Sequence, residues 1–319
     1  MPSVSGDLVF LADIPLYEYE KPYLVLLPPS KDAALDPSVP RQNLQWEKRT
    51  INITDIREQQ EDFRIDRCGF QVLQHASKVS SLTRFQDVSR EDLQAYKRET
   101  AVLLGEKLGA VHVICYDFKV IVPMSFLLYF SVLTSVPAQL RINTRVDRQT
   151  LDLRDPLLAD VTVKSGPEII RTHLAIQDLE RYAKPGYRFR IVNTWRILNP
   201  VAQDSPLALC DFRSVDPEDL IPADRVIPGI VGETYYLRYN DQQHWCWLEN
   251  QTPEEPFMFL MYDTHPGNNA RCSLKLHMRK VKVRIMANFF LKTVRISRSL
   301  IVGAQKTHHP VKASRQDQS

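Results

Sequence analysis

The sequence predicts a mainly β protein with flanking α-helices, a sandwich or barrel in which helices pack outside the sheets. Three observations carry that expectation. Beyond residue 186 the hydrophobic period falls from 3.6 to 2, in the runs "YRFRIVNTW", "TYYLRYN", "HWCWLE" and "PFMFLMYDT", which are aromatic or β-branched and separated by polar turns. Two segments further toward the amino terminus carry helix boundary signals. The chain is also long enough to bury a sizeable core, with 319 residues, 44% hydrophobic and 25% charged.

Taken in order, residues 1–45 are proline-punctuated ("LLPPSKDAALDPSVP") and read as an extended arm with strand pieces, after which "INITDI" reads as a strand. The segment "SREDLQAYKRETAVLLGEKLGA" reads as a helix. Ser89 is its N-cap, Glu91 and Asp92 lie in its first turn, Leu93, Tyr96, Leu103, Leu104 and Leu108 recur near 3.6 spacing, and Gly109 stops it. "VHVICYDFKV" reads as a strand. A polar, β-compatible run from Asp160 turns at Ser165-Gly166-Pro167 into a second helix, which ends at Lys184-Pro185-Gly186. Residues 46–304 are expected to form one domain with flanking helices and 305–319 a disordered tail.

Composition excludes several classes. With 41 basic against 38 acidic side chains, the net charge of +3 has no basic block suited to a phosphate backbone, so nucleic acid is not expected as a partner. The five cysteines (Cys68, Cys115, Cys210, Cys246, Cys272) form no C-x-x-C pair, which points to a reducing, cytoplasmic setting. Early acidic residues (Asp7, Asp13, Glu18) argue against a signal peptide. The apolar run "VIVPMSFLLYFSVLTSV" contains Pro123 and falls short of the roughly 20 residues a membrane span needs, so no membrane association is expected.

No phosphate-binding Gly-rich loop, G-x-S-x-G elbow or Cys–His nucleophile signature is present. The cluster Tyr235, Tyr236, His244, Trp245, Trp247 either lines a ligand cavity or fills a β core. Arg188, Arg190 and Arg196 alternate onto one face of a single expected strand, which is either solvent-facing or an anion site.

The block "GYRFRIVNTWRILNPVAQDSPLALCDFRSVDPEDLIPADRVIPGIVGETYYLRYNDQQHWCWLENQTPEEPFMFLMYDT" resembles a group that contains gibberellin desaturase, 7α-cephem methoxylase and hydroxylase/desaturases of fungal secondary-metabolite clusters. "ITDIREQQEDFRIDRCGFQVLQHAS", the stretch Tyr96 to Glu99 and "LGAVHVICYDFKV" are similar to that group's opening, so the resemblance spans about three quarters of the chain. It implies a double-stranded β-helix, the cupin-like jelly roll, whose active members bind Fe(II) and 2-oxoglutarate with two histidines and one carboxylate on one face.

By that resemblance the first ligands are an H-x-D pair. Here the Asp is Asp160, and the histidine position reads Leu158. The distal histidine position reads Lys275, with His277 two residues on as an alternative ligand, and the family's 2-oxoglutarate-binding arginine falls on Arg298. Leu158 offers no donor and Lys275 brings a positive charge. At about 4 Å and an effective dielectric near 20 a unit charge pair is worth about 4 kcal/mol, and repulsion of a dication is about twice that.

The expectation is therefore a hydroxylase/desaturase-like tailoring oxidoreductase acting on a small-molecule secondary-metabolite intermediate. Arg196, Tyr236, His244 and Trp247 would line its cavity, with Fe(II) and 2-oxoglutarate as cofactors by resemblance. The alternative is a metal-independent cyclase, isomerase or dehydratase, or an inactive binding protein, that uses the same cavity without a cofactor; Asp160 or Lys275 would then be the proton donor or acceptor. The stretches 120–150 and 281–294 interrupt the family pattern and are expected to pack less regularly than their surroundings.

Overall fold

In the computed structural model the described residues are 3–26, 40–79, 89–117, 119–121, 158–159, 161–198, 201, 206–227, 229–267, 272, 274–277, 294–297 and 305–306, and strand counts refer to these. The chain begins with β1 (Ser3–Leu11), β2 (Tyr23–Val25) and β3 (Trp46–Asp55). A short helix, Ile65–Cys68, leads to β4 (Phe70–Val72). After the helix Arg90–Leu108 come β5 (Lys119–Ile121) and β6 (Leu158–Ala159). Helices Ser165–His173 and Ile176–Tyr182 precede β7 (Tyr187–Arg188) and β8 (Arg190–Ile197). The remainder is β9 (Leu207–Cys210), β10 (Leu220–Ile227), β11 (Ile230–Leu237), β12 (Trp245–Trp247), β13 (Phe257–Asp263), β14 (Leu274–His277), β15 (Val294–Ser297) and β16 (Gln305–Lys306).

Two sheets carry the fold. The large one has the order β1-β3-β12-β9-β14-β6-β11-β10-β2 and the small one β4-β13-β8-β15-β5. Within them β12-β9-β14-β6 faces β13-β8-β15-β5, every neighbouring pair in both sets being antiparallel. The chain crosses between the sets at β5 to β6 to β8 to β9, and again at β12 to β13 to β14 to β15. This is the jelly-roll path of a double-stranded β-helix, the fold the sequence resemblance implies. Leu11 makes a parallel bridge to Arg238, which curls the large sheet around on itself.

Burial explains why these strands read as they do. Every residue of β8 and of β13 is buried. One face of the small sheet (Ile191, Trp195, Ile197, Phe257, Phe259, Met261) meets Leu207, Leu209 and Cys246 of the large sheet. Its other face (Val192, Met258, Leu260) is covered by Leu103 and Leu104 of the helix Arg90–Leu108. Each such aliphatic or aromatic side chain contributes about 1.5–3 kcal/mol by burial. The helix is held at its start by a capping box between Ser89 and Asp92, with bonds of 3.0 and 3.1 Å, and at its end by Gly109 at φ 58°, as the sequence predicts.

Three expectations differ from the structure. The second helix is two helices, because Leu174 becomes extended and is buried in the inter-sheet core beside Ile170 and Tyr182, which lets both helical halves reach that core. Residues 111–117 form no ladder; Tyr116 stacks on His173 at 4.0 Å and His112 on Tyr182 at 5.4 Å, so ring contacts to the two helices hold this segment. Gln305 and Lys306, expected in the tail, pair with Arg188 and Tyr187. The stretches 122–150 and 281–293 lie outside the described residues.

Candidate functional site

Four residues of the large sheet stand in backbone register across neighbouring antiparallel strands. Leu209 opposes Lys275, Lys275 opposes Leu158, and Leu158 opposes Tyr236. Leu209 belongs to the core between the sheets, and the Lys275 ammonium lies 5.6 Å from the ring centroid of Phe259, on β13 of the facing sheet. Lys275 therefore projects between the sheets, with the aromatic face supplying cation–π attraction. Tyr236 is buried, and the Trp46 ring meets it edge-on at 5.1 Å.

The turn after β6 is anchored from two directions. Thr162 and Ser165 bond reciprocally, Thr162 N–H to Ser165 Oγ at 2.8 Å and Ser165 N–H to Thr162 Oγ1 at 3.1 Å. The Thr162 hydroxyl donates to Glu233 Oε1 at 2.6 Å, while Lys21 donates to Glu233 Oε2 and to Asp224, each at 2.5 Å. Burial works against ionisation of Glu233, and the bonds from Lys21 and Thr162 outweigh it, holding its carboxyl below the usual range. At the next position Gly166 lies on the Tyr262 ring so closely that a Cβ would come within 2.5 Å of it. Only glycine lets the helix start there.

Of the sequence-predicted site residues, the structure brings Lys275 and Tyr236 into this row, beside the Leu158 position. Arg196 points to the other face of the small sheet, where it donates to Tyr96 Oη at 3.1 Å, to the His75 carbonyl at 2.7 Å and to the Pro253 carbonyl, and its guanidinium meets His75 Nδ1 at 2.9 Å. Trp247 belongs to the opposite face of the large sheet, with Phe10, Ile53 and Trp245. His244 is engaged with Thr54 Oγ1 at 3.0 Å.

His277 pairs in backbone register with Leu207; Asp160 and Arg298 lie outside the described residues. Arg188 is partly exposed and Arg190 buried, and the two share one carboxylate. Both bind Asp263, with Arg188 Nε to Oδ1 at 2.8 Å and Arg190 Nε to Oδ2 at 3.0 Å, and Arg190 also binds Asp66. Phe259, Thr162 and Glu233 were not legible as site residues, since their roles rest on contacts 16 to 212 residues distant in sequence.

A family model described as an oxidoreductase/YMDC permease-like domain matches residues 19–280. The chain belongs to that family. It is 27% identical over 242 residues to the hydroxylase/desaturase efuI of Hormonema carpetanum, covering 72% of this chain and 76% of that protein. Over 83 residues, 25% of this chain and 24% of the relative, it is 32% identical to the gibberellin cluster GA4 desaturase of Gibberella fujikuroi. The solved structure of the iron and alpha-ketoglutarate-dependent endoperoxidase NvfI superposes with a TM-score of 0.70 at 21% identity, covering 95% of this chain and 99% of that one, which shows the shared fold. By kinship the chain is an oxidoreductase of the fungal hydroxylase/desaturase type. Among the described residues no helix is long and apolar enough to cross a membrane.

Proposed function

We propose that the protein tailors a small-molecule secondary-metabolite intermediate held between the two sheets, beside Lys275 and Tyr236, with residues 46–304 as the catalytic unit. The observation that carries this reading is the register of Tyr236, Leu158, Lys275 and Leu209 across four strands. It sets a cation and a phenol-bearing residue on the stretch of sheet that resembles the ligand-bearing part of the hydroxylase/desaturases. The five cysteines are all free thiols, which supports a cytosolic setting.

The family implies Fe(II) and 2-oxoglutarate as cofactors, with hydroxylation or desaturation as the inherited reaction class. Bound iron would supply oxidation of the substrate. At the two positions that the resemblance gives to histidines stand a leucine and a lysine, opposed in register, which supply no imidazole there, and the lysine ammonium lies against Phe259. Among the described residues no group of three or more His, Cys, Asp and Glu side chains could hold a metal ion.

Lys275 favours a second reading, a redox-neutral cyclisation, isomerisation or dehydration in which its Nζ gives or takes a proton. Such a group contributes about 10²–10⁴ in rate. The product distinguishes the two. Metabolite profiles of producers with and without the gene identify the accumulating intermediate, which is then converted by purified protein. A product heavier by one oxygen, or lighter by two hydrogens, belongs to the inherited class. An isomer, or loss of water, belongs to proton transfer. Unchanged profiles together with no binding of any accumulated intermediate overturn the tailoring role.

A further inference from the structure

We propose that Trp46, at the start of β3, is a specificity-determining residue of this site: its ring forms the outer wall beyond Tyr236 and takes the apolar, ring-bearing part of the intermediate. The inference rests on the placement of the substrate argued above, and its test includes a binding probe that needs no turnover, so the two fail separately.

Two observations carry it. The first is where Trp46 stands. Tyr236 is joined to Lys275 by two steps of antiparallel pairing, through the backbone of β6, so both residues share one face of the large sheet about 10 Å apart. Tyr236 is 3% exposed and the Trp46 ring meets it edge-on at 5.1 Å, yet Trp46 itself is 37% exposed. A ligand lying along this face from Lys275 past Tyr236 comes next to an indole that is packed on the tyrosine and still open to solvent. Such a ring offers a large, rigid apolar surface, with edge-to-face or offset-stacked geometry for a second ring. The second observation is that this exposure is built in. The Gln45 amide donates to Tyr17 Oη at 2.9 Å, the Gln45 carbonyl accepts from Ala12 N–H at 2.9 Å, and Leu44 is buried beside Tyr236, Leu11 and Ala223. Trp46 itself pairs with Leu11, which is fully buried and bridges to Arg238, two residues beyond Tyr236. Lys21 of the preceding arm is fixed to Glu233 on β11 and Asp224 on β10, each at 2.5 Å. Backbone held at these points fixes the indole where it is. The part of the ring left open contributes nothing to folding through burial, and it is the part a substrate covers.

The test uses the full chain with two ligands, the intermediate that accumulates in producers lacking the gene and 1-anilinonaphthalene-8-sulfonate, an aromatic probe whose own fluorescence reports binding. Trp46→Ala should raise KM for the intermediate, and Kd for the probe, about tenfold or more with kcat unchanged. Trp46→Phe, which keeps a ring, should restore both to within about threefold. Tyr19→Ala, which removes an aromatic side chain 86% exposed on the same arm, should change neither. A folded Trp46→Ala with unaltered KM and Kd overturns the proposal, as does a fall in kcat alone, because the ring would then act only through Tyr236. Should Trp46→Ala fail to fold, Trp46→Leu decides: it keeps apolar cover on Tyr236 without the ring, and the same rise in KM supports the proposal where an unchanged KM overturns it. If producers with and without the gene have identical profiles, the tailoring reading fails by itself, and the probe alone decides whether Trp46 is a ring-binding wall.

Discussion

Arg190 and Lys275 each carry a positive charge, one on the helix-facing side of the small sheet and one on the inner face of the large sheet, and they are held differently. Arg190 is anchored by Asp263, whose side chain is 0% exposed, and by Asp66. Arg196, six residues along the same strand, is bound by Tyr96, His75 and the Pro253 carbonyl on the face that meets the helix Arg90–Leu108. Lys275 instead stands in a row of leucines and a tyrosine, against the Phe259 ring. A cation buried with matched acceptors is part of the scaffold. Lys275 is set apart by its place rather than by its partners: its ammonium lies 5.6 Å from the Phe259 ring centroid, on the face of the large sheet that meets the small one. Residue type alone would rank the arginines, on a conspicuous strand, above the lysine.

The largest effect is expected on the scaffold side of this contrast. Asp263→Asn leaves Arg188 and Arg190 without their shared carboxylate and should cost about 3–5 kcal/mol in urea unfolding. A loss below about 1 kcal/mol would erase the distinction between the two kinds of cation. Lys275→Met should do the reverse: turnover of the native intermediate falls about 10²–10⁴-fold, while the unfolding free energy moves by less than about 1.5 kcal/mol. Full activity in that variant would make the lysine as structural as the arginines.

Arg196→Met keeps the volume but strands the acceptors at His75 and Pro253, and should destabilise by about 1.5–3 kcal/mol with KM for the intermediate unchanged. A raised KM would put Arg196 in the cavity after all. The smallest effect is a pH slope. Burial, and then the Arg196 guanidinium, hold the pKa of His75 below its ordinary 6.5. The unfolded chain therefore binds a proton that the folded one resists, so this contribution to stability is intact above 6.5 and declines as pH falls through 6.5 toward the folded pKa. His75→Gln should flatten that part of the urea-unfolding profile between about pH 7 and pH 5; an unaltered slope would assign it to other groups.

Much of the fold was legible because it rests on local pattern. Ser89, Asp92 and Gly109 bound a helix by short-range hydrogen bonding and backbone conformation, and the aromatic runs after residue 186 are strands in the positions their period indicates. The helix break at Leu174 was not legible, because burial of that side chain in a distant core overrides a continuous local pattern. Within the site, the departures at Leu158 and Lys275 were visible as residues out of place in a resembled motif. Their opposition on adjacent strands was not.

The sequence by itself determined most of the element types, the lineage and the chemical character of each candidate side chain, since these follow from periodicity, capping residues and motif text. The tertiary structure alone decided which faces those side chains occupy. Arg196 and Trp195 are adjacent in sequence yet lie on opposite faces of β8, one against a helix and one between the sheets. Lys275 and Phe259 are 16 residues apart yet meet across the core. The physical reason is that strand alternation fixes two faces without naming either as interior, and the choice is made by which sheet, helix or carboxylate comes to cover each one.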